Sequence, residues 1–236
     1  MSRILVVSPN MSDALLGCGG TLAKRVSAGD EVRMMILSDG LTSRARSLEL
    51  GLQAIDLDIL EEQGRTALSI LGIQKVEFFR LPDNRLDQLP LLDIVKMIEA
   101  TKNRFRPDVV YTTSDCDLGI DQKRTCLAVV TAFRPQPIDN QAALYSFEVN
   151  ASTEWNFCER DRTFSPDTYV DINATLDCKV KAFQALTLEQ RFVNHARSVE
   201  AVIDHARLRG CNVGMKAAES FMLLRAVRKI TRGNSI

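Results

Sequence analysis

Polar side chains that could hold or act on a ligand follow a short apolar run near the start of the chain. The stretch RILVVSPNMSDA places Asn10, Ser12 and Asp13 directly after that run. Asp13 is the one carboxylate among the three, and none of them offers an imidazole or a thiolate. Oxygen donors suit Mg²⁺ or Ca²⁺ better than zinc, which prefers histidine and cysteine. By itself, this loop can hydrogen-bond a polar ligand or hold a cation weakly.

A second polar loop, SDCDLGIDQ, contains Asp115, Asp117, Asp121 and Gln122. Asn10, Asp13 and Gln122 together offer three oxygen donors, and aspartates of the second loop could complete a weak Mg²⁺ or Ca²⁺ site. The other interpretation is a solvated acidic loop with Asp121 near a helix N-cap. We favour the second interpretation, because one carboxylate seldom makes a tight cation site.

The glycine-rich stretch GCGGT could be mistaken for a phosphate-binding loop. A dinucleotide fingerprint needs its glycines immediately after the strand, so that the phosphate meets a helix N-terminus. Here Gly17, Gly19 and Gly20 come several residues later, within a predicted helix. We expect them to allow a close approach between this helix and the structure packed on it.

Strand-like and helix-like segments alternate through the first 133 residues. That alternation predicts an α/β fold, a Rossmann-like and mainly parallel sheet with helices on both faces. After residue 133 the pattern changes to an α+β extension, which we expect to pack on the same core, making residues 1–236 a single domain. The predicted strands are RILVVSP, EVRMMILSDG, KVEFFRL, PDVVYTT, ALYSFEVN and TYVDI, and the predicted helices are ALLGCGGTLAKRVSAG, ILEEQGRTALSILGI, LPLLDIVKMIEATKNRF, QKRTCLAVVTAF, LDCKVKAFQALTLEQ and SVEAVIDHARLRG.

Composition narrows the classes of function. The formal net charge of the 236 residues is zero, which argues against a broad nucleic-acid surface. We find no secretory signal and no apolar run long enough for a membrane span. Six cysteines occur without any Cys-x-x-Cys pair, so we expect reduced thiols and a cytoplasmic location. The only histidines are His195 and His205, which leaves few imidazoles for a zinc site.

The order of motifs along the chain resembles that of the LmbE-like, or PIG-L, sugar N-deacetylases. The resemblance covers nearly the whole chain and implies the fold of that family. It also implies a divalent metal, usually zinc, at the carboxyl ends of the strands, and hydrolysis of an N-acetyl group on an amino sugar or glycoconjugate. The segments that carry it are SPNMSDALLGCGGT, LPDNRLD, PDVVYTT, DLGIDQ, SFEVNASTEWN, YVDI, HARS and AESFMLLR.

The resemblance also implies where the functional residues of the family fall in this chain. The first histidine ligand falls on Asn10, the catalytic base on Ser12 and the second histidine ligand on Gln122. The aspartate ligand is retained as Asp13. Further polar positions of the family fall on Ala14, Leu60, Gln63 and Gly119.

These replacements remove what zinc-dependent amide hydrolysis needs, namely three protein ligands, an open position and a base for the bound water. Loss of imidazole ligands lowers the metal-binding free energy by several kcal/mol, whereas a complete structural zinc site binds with ~10–16 kcal/mol. We therefore assign no catalytic residue and expect no resident cofactor. A weak Mg²⁺ or Ca²⁺ at Asp13, Asn10 and Gln122 is the alternative.

Other residues could contact a substrate. Asp83 could accept hydrogen bonds from sugar hydroxyls, and Trp155 could stack on a sugar face or simply fill the core. His195 and Arg197 could reach the rim of the site or tie the last helices to the sheet; we favour the structural role. The candidate set is Asp83, Arg85, Trp155, Asn156, His195 and Arg197.

The sequence therefore predicts a deacetylase-family protein that has lost its zinc chemistry. It would bind a sugar or glycoconjugate, or support an active partner, either in a homo-oligomer or with an active paralogue. The alternatives are an active carbohydrate N-deacetylase with an oxygen-ligated metal, and a metal-independent enzyme on the same fold. We expect neither a nucleic-acid partner nor a membrane span.

Overall fold

A computed structural model of the chain describes residues 1–40, 54–136, 141–157, 161–189 and 191–227, without the side chains of residues 54–56. Five cysteines lie among these residues, and all five are free thiols, as expected. Cys158 lies outside the described residues, as does the basic end of the chain from residue 228.

Seven strands form one sheet in the order β3-β2-β1-β4-β5-β7-β6. The first five strands in that order pair in parallel, whereas β7 runs antiparallel to both of its neighbours. The predicted α/β fold with a mainly parallel sheet is confirmed. The strands are β1 Arg3–Ser8, β2 Glu31–Ser38, β3 Lys75–Leu81, β4 Val109–Thr113, β5 Ala143–Phe147, β6 Thr168–Asp171 and β7 Ala218–Arg225.

Helices cover both faces of the sheet. Alternate residues of β1 enter two different hydrophobic clusters, with Ile4 and Val6 on one face and Leu5 and Val7 on the other. The helices are α1 Met11–Ser27, α2 Ala54–Ile70, α3 Leu91–Phe105, α4 Ile120–Ala132, α5 Leu176–Gln184 and α6 Val199–Cys211, and 3-10 turns occur at Leu86–Gln88 and Thr187–Glu189. The first cluster includes side chains of α1, α2, α5 and α6, and the second includes side chains of α3 and α4.

The sequence prediction omits the strand β7. This strand lies between β5 and β6 and joins the C-terminal part of the chain to the parallel sheet. Local pattern does not reveal it, because the polar residues Glu219 and Ser220 are buried next to Phe221 instead of alternating with exposed positions. The predicted α+β extension is therefore a continuation of the same sheet.

The glycines of α1 permit close packing, as the sequence predicts. A Cβ on Gly17 would lie 2.0 Å from Cδ2 of the buried Phe147 ring. A Cβ on Gly20 would lie 2.9 Å from Cδ1 of Ile172. The GCGGT stretch therefore lies within the helix and lets β5 and the segment after β6 approach its backbone.

Helix α1 begins at Met11, three residues before the predicted start. Asn10 has the extended backbone of an N-cap residue, with φ −120° and ψ 153°, but its side chain makes no cap hydrogen bond. That side chain is directed into the polar cleft described below. In the ranges that the structure describes, no helix is both long and apolar enough to cross a bilayer.

Candidate functional site

A polar cleft opens at the carboxyl ends of the parallel strands, where open α/β sheets place their ligand sites. Its volume is about 490 Å³. Its walls come from the loops after β1 to β5 and from the segment that joins α5 to α6. Side chains in these walls include Asn10, Ser12, Asp83, Gln122, Ser152, Trp155, Glu189 and Arg197.

Asp13 lies beside this cleft in the first turn of α1 and is fully buried. The Gln122 side chain donates a hydrogen bond from Nε2 to Asp13 Oδ2 at 2.6 Å. The guanidinium of Arg197 lies 3.4 Å from Asp13 Oδ1. Burial raises the pKa of Asp13 to about 7, although the nearby positive charge of Arg197 opposes this shift. Both carboxylate oxygens of Asp13 thus face protein groups, a neutral amide and a cation.

The side chain of Asn10 is held at both ends. Ser38 Oγ donates to Asn10 Oδ1 at 2.6 Å, and Asn10 Nδ2 donates to Asp83 Oδ1 at 3.3 Å. Ser38 is buried at the end of β2, and Asp83 follows β3. The amide oxygen that could ligate a cation therefore accepts a hydrogen bond from a neighbouring strand end.

The amide oxygen of Gln122 is directed at the protein. A Cβ on Gly119 would lie 1.9 Å from Gln122 Oε1, so this oxygen packs against the Gly119 backbone. It is buried and has no hydrogen-bond partner among the described residues. The oxygens of Asn10, Asp13 and Gln122 consequently do not converge on one point as metal ligands must.

Asp117 fastens the loop after β4 to the loop after β5. It accepts a hydrogen bond from the Gly119 N–H at 2.7 Å and from the hydroxyls of Ser152 and Thr153 at 2.8 and 2.9 Å. Burial raises the pKa of Asp117 despite these bonds. The carboxylate is therefore engaged in positioning two walls of the cleft.

Asp121 has a similar role for the loop after β3. Its two oxygens accept hydrogen bonds from the backbone N–H groups of Asn84 and Leu86, at 2.8 and 2.9 Å. Burial raises the pKa of Asp121 to about 6, because these two bonds only partly offset the loss of water. The contact fixes the neighbouring Asp83 in the cleft wall.

The predicted substrate-contacting residues divide into two groups. Asp83, Trp155 and Arg197 line the cleft, and the Trp155 side chain is 45% exposed there. Arg85 is half-buried, precedes the 3-10 turn Leu86–Gln88 and does not line the cleft. Asn156 bridges two loops, because its Nδ2 donates to the Cys116 carbonyl oxygen at 3.0 Å.

His195 contacts two residues of the cleft wall, Trp155 and Arg197. Its ring meets Trp155 edge-on at 6.0 Å between centroids, and its Nδ1 accepts a hydrogen bond from the Arg197 N–H at 3.0 Å. Arg197 in turn donates from Nε to the Asn150 carbonyl oxygen at 3.2 Å. His195 and Arg197 therefore tie the last part of the chain to the cleft, and Arg197 also enters it.

Two residues that shape the cleft are not predicted from the sequence. Glu189, buried in the 3-10 turn after α5, lines the cleft, and Ser38 anchors Asn10. A smaller apolar pocket of about 30 Å³ adjoins the cleft and shares Glu189 with it. Leu60, at a family polar position, contributes to that apolar pocket. The segment around Glu189 carries no motif, so only tertiary structure places it here.

A buried ion pair supports α1 on the side of the helix that β7 and α5 cover. Lys179 and Glu219 are each 3% exposed, and Lys179 Nζ lies 2.7 Å from Glu219 Oε1. Lys179 also donates to the Leu16 carbonyl oxygen at 2.6 Å. Glu219 accepts from the N–H groups of Gly20 and Thr21 at 2.9 and 2.7 Å. The pair thus bonds directly to the backbone of the helix that carries Asp13.

A second charged cluster lies beside α6. Glu148, Glu154 and His205 bring ligand-type atoms within 4.8 Å of one another. Arg209, however, donates to both carboxylate oxygens of Glu148, and Ser220 donates to one of them. Burial raises the pKa of Glu148, but His205 and Arg209 outweigh it and lower the pKa to about 2. This geometry is that of an internal ion-pair network.

Comparison with known proteins gives a consistent result. The sequence model of the family described as "PIG-L: GlcNAc-PI de-N-acetylase" matches residues 5–133. Diacetylchitobiose deacetylase from Thermococcus kodakarensis is 28% identical over 110 residues, which are 47% of this chain and 40% of that protein. The chain thus spans less than half the length of that relative.

Two further relatives match nearly the whole chain. 4-Oxalmesaconate hydratase from Pseudomonas putida is 25% identical over 247 residues, covering 96% of this chain and 88% of that protein. The crystal structure of a conserved protein from Thermus thermophilus superposes with a TM-score of 0.74 and 25% identity, covering 99% of this chain and 100% of that one.

Proposed function

The chain belongs to the PIG-L family, and from that premise we propose that it binds a sugar or glycoconjugate in the polar cleft without zinc-dependent deacetylation. In this proposal the family fold and cleft are retained, while the hydrolytic centre is replaced by an internal hydrogen-bond and ion-pair network. The protein then acts as a binding protein or as the support of an active partner subunit.

The observation that carries the proposal is the environment of Asp13. Zinc requires convergent imidazole, thiolate or carboxylate ligands and one open position. Asp13 instead accepts a hydrogen bond from Gln122 and pairs with Arg197, whose positive charge repels a cation at the same carboxylate. The donor set at Asn10, Asp13 and Gln122 does not fit a zinc ion.

The position that the family resemblance assigns to the catalytic base supports the same conclusion. Ser12 is 3% exposed and contributes to the cleft wall. A serine hydroxyl has no capacity to take a proton from water near neutral pH without a base beside it. Among the described residues, those at the positions that the resemblance assigns to the metal ligands and the base therefore offer neither a metal-bound water nor the family's general base.

Ligand binding is supported by the size and lining of the cleft. A volume of about 490 Å³ is in the range of small-molecule sites. The exposed Trp155 provides an apolar face for a sugar ring, and Asp83, Ser152 and Asn84 provide polar groups around it. One relative is named as a deacetylase of diacetylchitobiose, a sugar, which agrees with this choice of ligand class.

A catalytic function of a different kind is the second candidate. A relative of nearly full length is named as a hydratase, so that protein is assigned a reaction other than deacetylation. An oxygen-ligated Mg²⁺ or Ca²⁺ at Asp13 would require Gln122 and Arg197 to rotate away from it. The experiment below tests the binding-protein proposal against a retained metal ion and against deacetylation.

The first test is metal content together with activity. Protein purified without a metal-binding tag is incubated with near-stoichiometric zinc, magnesium or calcium, desalted and analysed for metal. We expect far less than one ion per chain and no acetate release from N-acetylated amino sugars. The double variant Asn10→His/Gln122→His, which restores two imidazoles, is the matched positive control for zinc uptake.

A contrary result has two forms. One retained ion per chain would establish a metal site, and acetate release that disappears in Asp13→Ala would establish a working deacetylase. Either result would overturn the proposal. Activity in Asp13→Ala that disappears on further purification comes from a contaminating hydrolase, whereas activity that co-purifies with the variant would establish a metal-independent enzyme and would equally overturn the proposal.

A further inference from the structure

One part of the cleft lining consists of large apolar side chains. Leu118, Ile120 and Trp155 all line the cleft, and they are 47%, 38% and 45% exposed. Leu118 and Ile120 flank Gly119, the N-cap residue of α4, and Trp155 comes from the loop after β5. We call these three residues the apolar wall of the cleft. Apolar groups of this size that face water in a ligand-sized cavity indicate a ligand with an apolar part.

The two loops that carry the apolar wall are bonded to each other. The Leu118 N–H donates a hydrogen bond to the Ser152 carbonyl oxygen at 2.9 Å. The Ser152 hydroxyl donates to Asp117 at 2.8 Å, and Asn156 Nδ2 donates to the Cys116 carbonyl oxygen at 3.0 Å. These contacts hold the loops in place before a ligand arrives, so binding at the apolar wall requires little ordering of the backbone.

The rest of the described lining is mainly polar and can hold a sugar. It includes the side chains of Asn10, Ser12, Asn84 and Arg197. Cavities of about 300–1,000 Å³ take drug-sized ligands, and a single sugar ring is smaller than such a ligand. A sugar in the polar part of the cleft, whose volume is about 490 Å³, therefore leaves room for a second group. If that group is apolar, it removes the apolar wall from water, which is favourable.

We infer that the cleft takes a glycoside with an apolar, aryl aglycone, which packs against Leu118 and Ile120 while the sugar ring lies at Trp155. This inference rests on the proposed function, since it assumes that the cleft binds a sugar. An aryl ring presents a large apolar face and loses little conformational entropy on binding. A second sugar or a polyol would instead place hydroxyls against Leu118 and Ile120, whose side chains offer no hydrogen-bonding group.

Calorimetric titration of the full-length chain tests this inference. The ligands are the phenyl and methyl N-acetyl-β-glucosaminides, the phenyl and methyl β-glucosides, and N,N′-diacetylchitobiose. We expect each phenyl glycoside to bind about tenfold or more tightly than its methyl counterpart, because the buried ring face and the apolar wall leave water together. N,N′-diacetylchitobiose, in which a hydrophilic sugar replaces the aryl group, should bind less tightly than phenyl N-acetyl-β-glucosaminide.

Two variants and one control locate the preference. Leu118→Ser and Ile120→Ser each remove an exposed apolar side chain from the apolar wall, and each should lower the ratio of phenyl to methyl affinity several-fold. Leu127→Ser changes a residue of α4 that is 48% exposed and does not line the cleft, and it should leave this ratio unchanged. The comparison of ligands on the unaltered protein does not depend on the variants folding.

The possible outcomes separate the two proposals. Equal binding within each phenyl and methyl pair, or tighter binding of N,N′-diacetylchitobiose than of phenyl N-acetyl-β-glucosaminide, would overturn the inference and leave sugar binding intact. A phenyl preference that survives both Leu118→Ser and Ile120→Ser would also overturn the inference, because the aglycone would then lie elsewhere. Absence of binding by all five ligands would overturn the proposed function and the inference together.

Discussion

At the scale of single residues, the sequence indicates several side chains that the structure brings to one cleft, but not the contacts that they make. Loops at the carboxyl ends of parallel strands converge, which predicts that Asn10, Asp13 and Gln122 meet, and Gln122 does bond Asp13. The sequence favours a structural role for Arg197, yet this residue also reaches Asp13. Glu189 carries no local signal. Residue type and strand order predict which loops meet, whereas side-chain partners depend on packing.

Glycines in α1 provide a matched test of packing at this scale. Gly17→Ala would place a methyl group 2.0 Å from the fully buried Phe147 ring, so the ring or the helix would have to shift. We expect overpacking to lower the free energy of unfolding by about 2 kcal/mol or more, beyond the ~1 kcal/mol that alanine gains in helix propensity. Urea unfolding with an unchanged slope measures this loss.

Gly19→Ala is the control for that substitution. Its new methyl group would meet the Lys179 Cγ at 3.4 Å, an ordinary contact. The helix propensity gain then remains, and we expect a stability equal to the unaltered protein or up to about 1 kcal/mol higher. Equal losses in Gly17→Ala and Gly19→Ala would show that the glycines serve a purpose other than the close approach of Phe147.

At the scale of elements, the alternation of strands and helices predicts all six helices and six of the seven strands that the structure describes. The exception is β7, whose buried Glu219 and Ser220 interrupt the apolar pattern. The Lys179–Glu219 pair explains that interruption, because the Glu219 carboxylate accepts hydrogen bonds from backbone N–H groups of α1. Because β7 contains a buried glutamate that pairs with Lys179 of α5, the hydrophobic periodicity of β7 does not identify it as a strand.

This ion pair makes the link between α1, α5 and β7 testable. Glu219→Gln leaves Lys179 buried without its counter-charge, and Lys179→Met leaves the Glu219 carboxylate without its cation. We expect each change to cost about 3–5 kcal/mol. The double variant should cost clearly less than the sum, because neither buried charge then remains.

Denaturant unfolding of the four proteins in a double-mutant cycle gives the coupling. A coupling of more than about 1 kcal/mol is the expected result. Additive losses would mean that each residue stabilises α1 independently, through its own bonds to the helix backbone. In that case the pair would not act as a unit.

At the scale of the whole molecule, the predicted mainly parallel sheet with helices on both faces matches the structure, and the C-terminal part extends the same sheet. The order of the strands beyond β5 is not predictable from the sequence. The insertion of β7 between β5 and β6 depends on long-range pairings, such as Phe147 with Phe221. Pairings between residues so far apart in the chain are not visible in any sequence segment of about ten to twenty residues.

The charged cluster of Glu148, His205 and Arg209 predicts an acid-dependent stability. The pKa of Glu148 in the folded protein, about 2, lies below its ordinary value of 4.5. Its stabilisation is therefore fully present above pH 4.5 and is lost as the pH falls toward 2. A shift of this size corresponds to about 3 kcal/mol at neutral pH.

Comparison with Glu148→Gln isolates this contribution. We expect the unaltered protein to be more stable than the variant by about 3 kcal/mol at pH 7, and by roughly 1 kcal/mol at pH 3. Glu200→Gln, at an exposed position in the first turn of α6, should show a difference that changes with pH by less than about 1 kcal/mol. A constant gap between Glu148→Gln and the unaltered protein from about pH 7 to about pH 3 would contradict the assignment.

The place of β7 also has a consequence for biosynthesis. Chains emerge from the ribosome from the N-terminus, so β1 to β5 can assemble while residues 218–225 are still being made. Until then β5 is an open edge of a nascent sheet, able to pair with another chain. During the same interval Glu148 lacks Ser220, and α1 lacks Glu219. The strands that carry the cleft loops can therefore assemble before β7 covers the open edge of β5. This nascent intermediate is the form that a chaperone would have to protect.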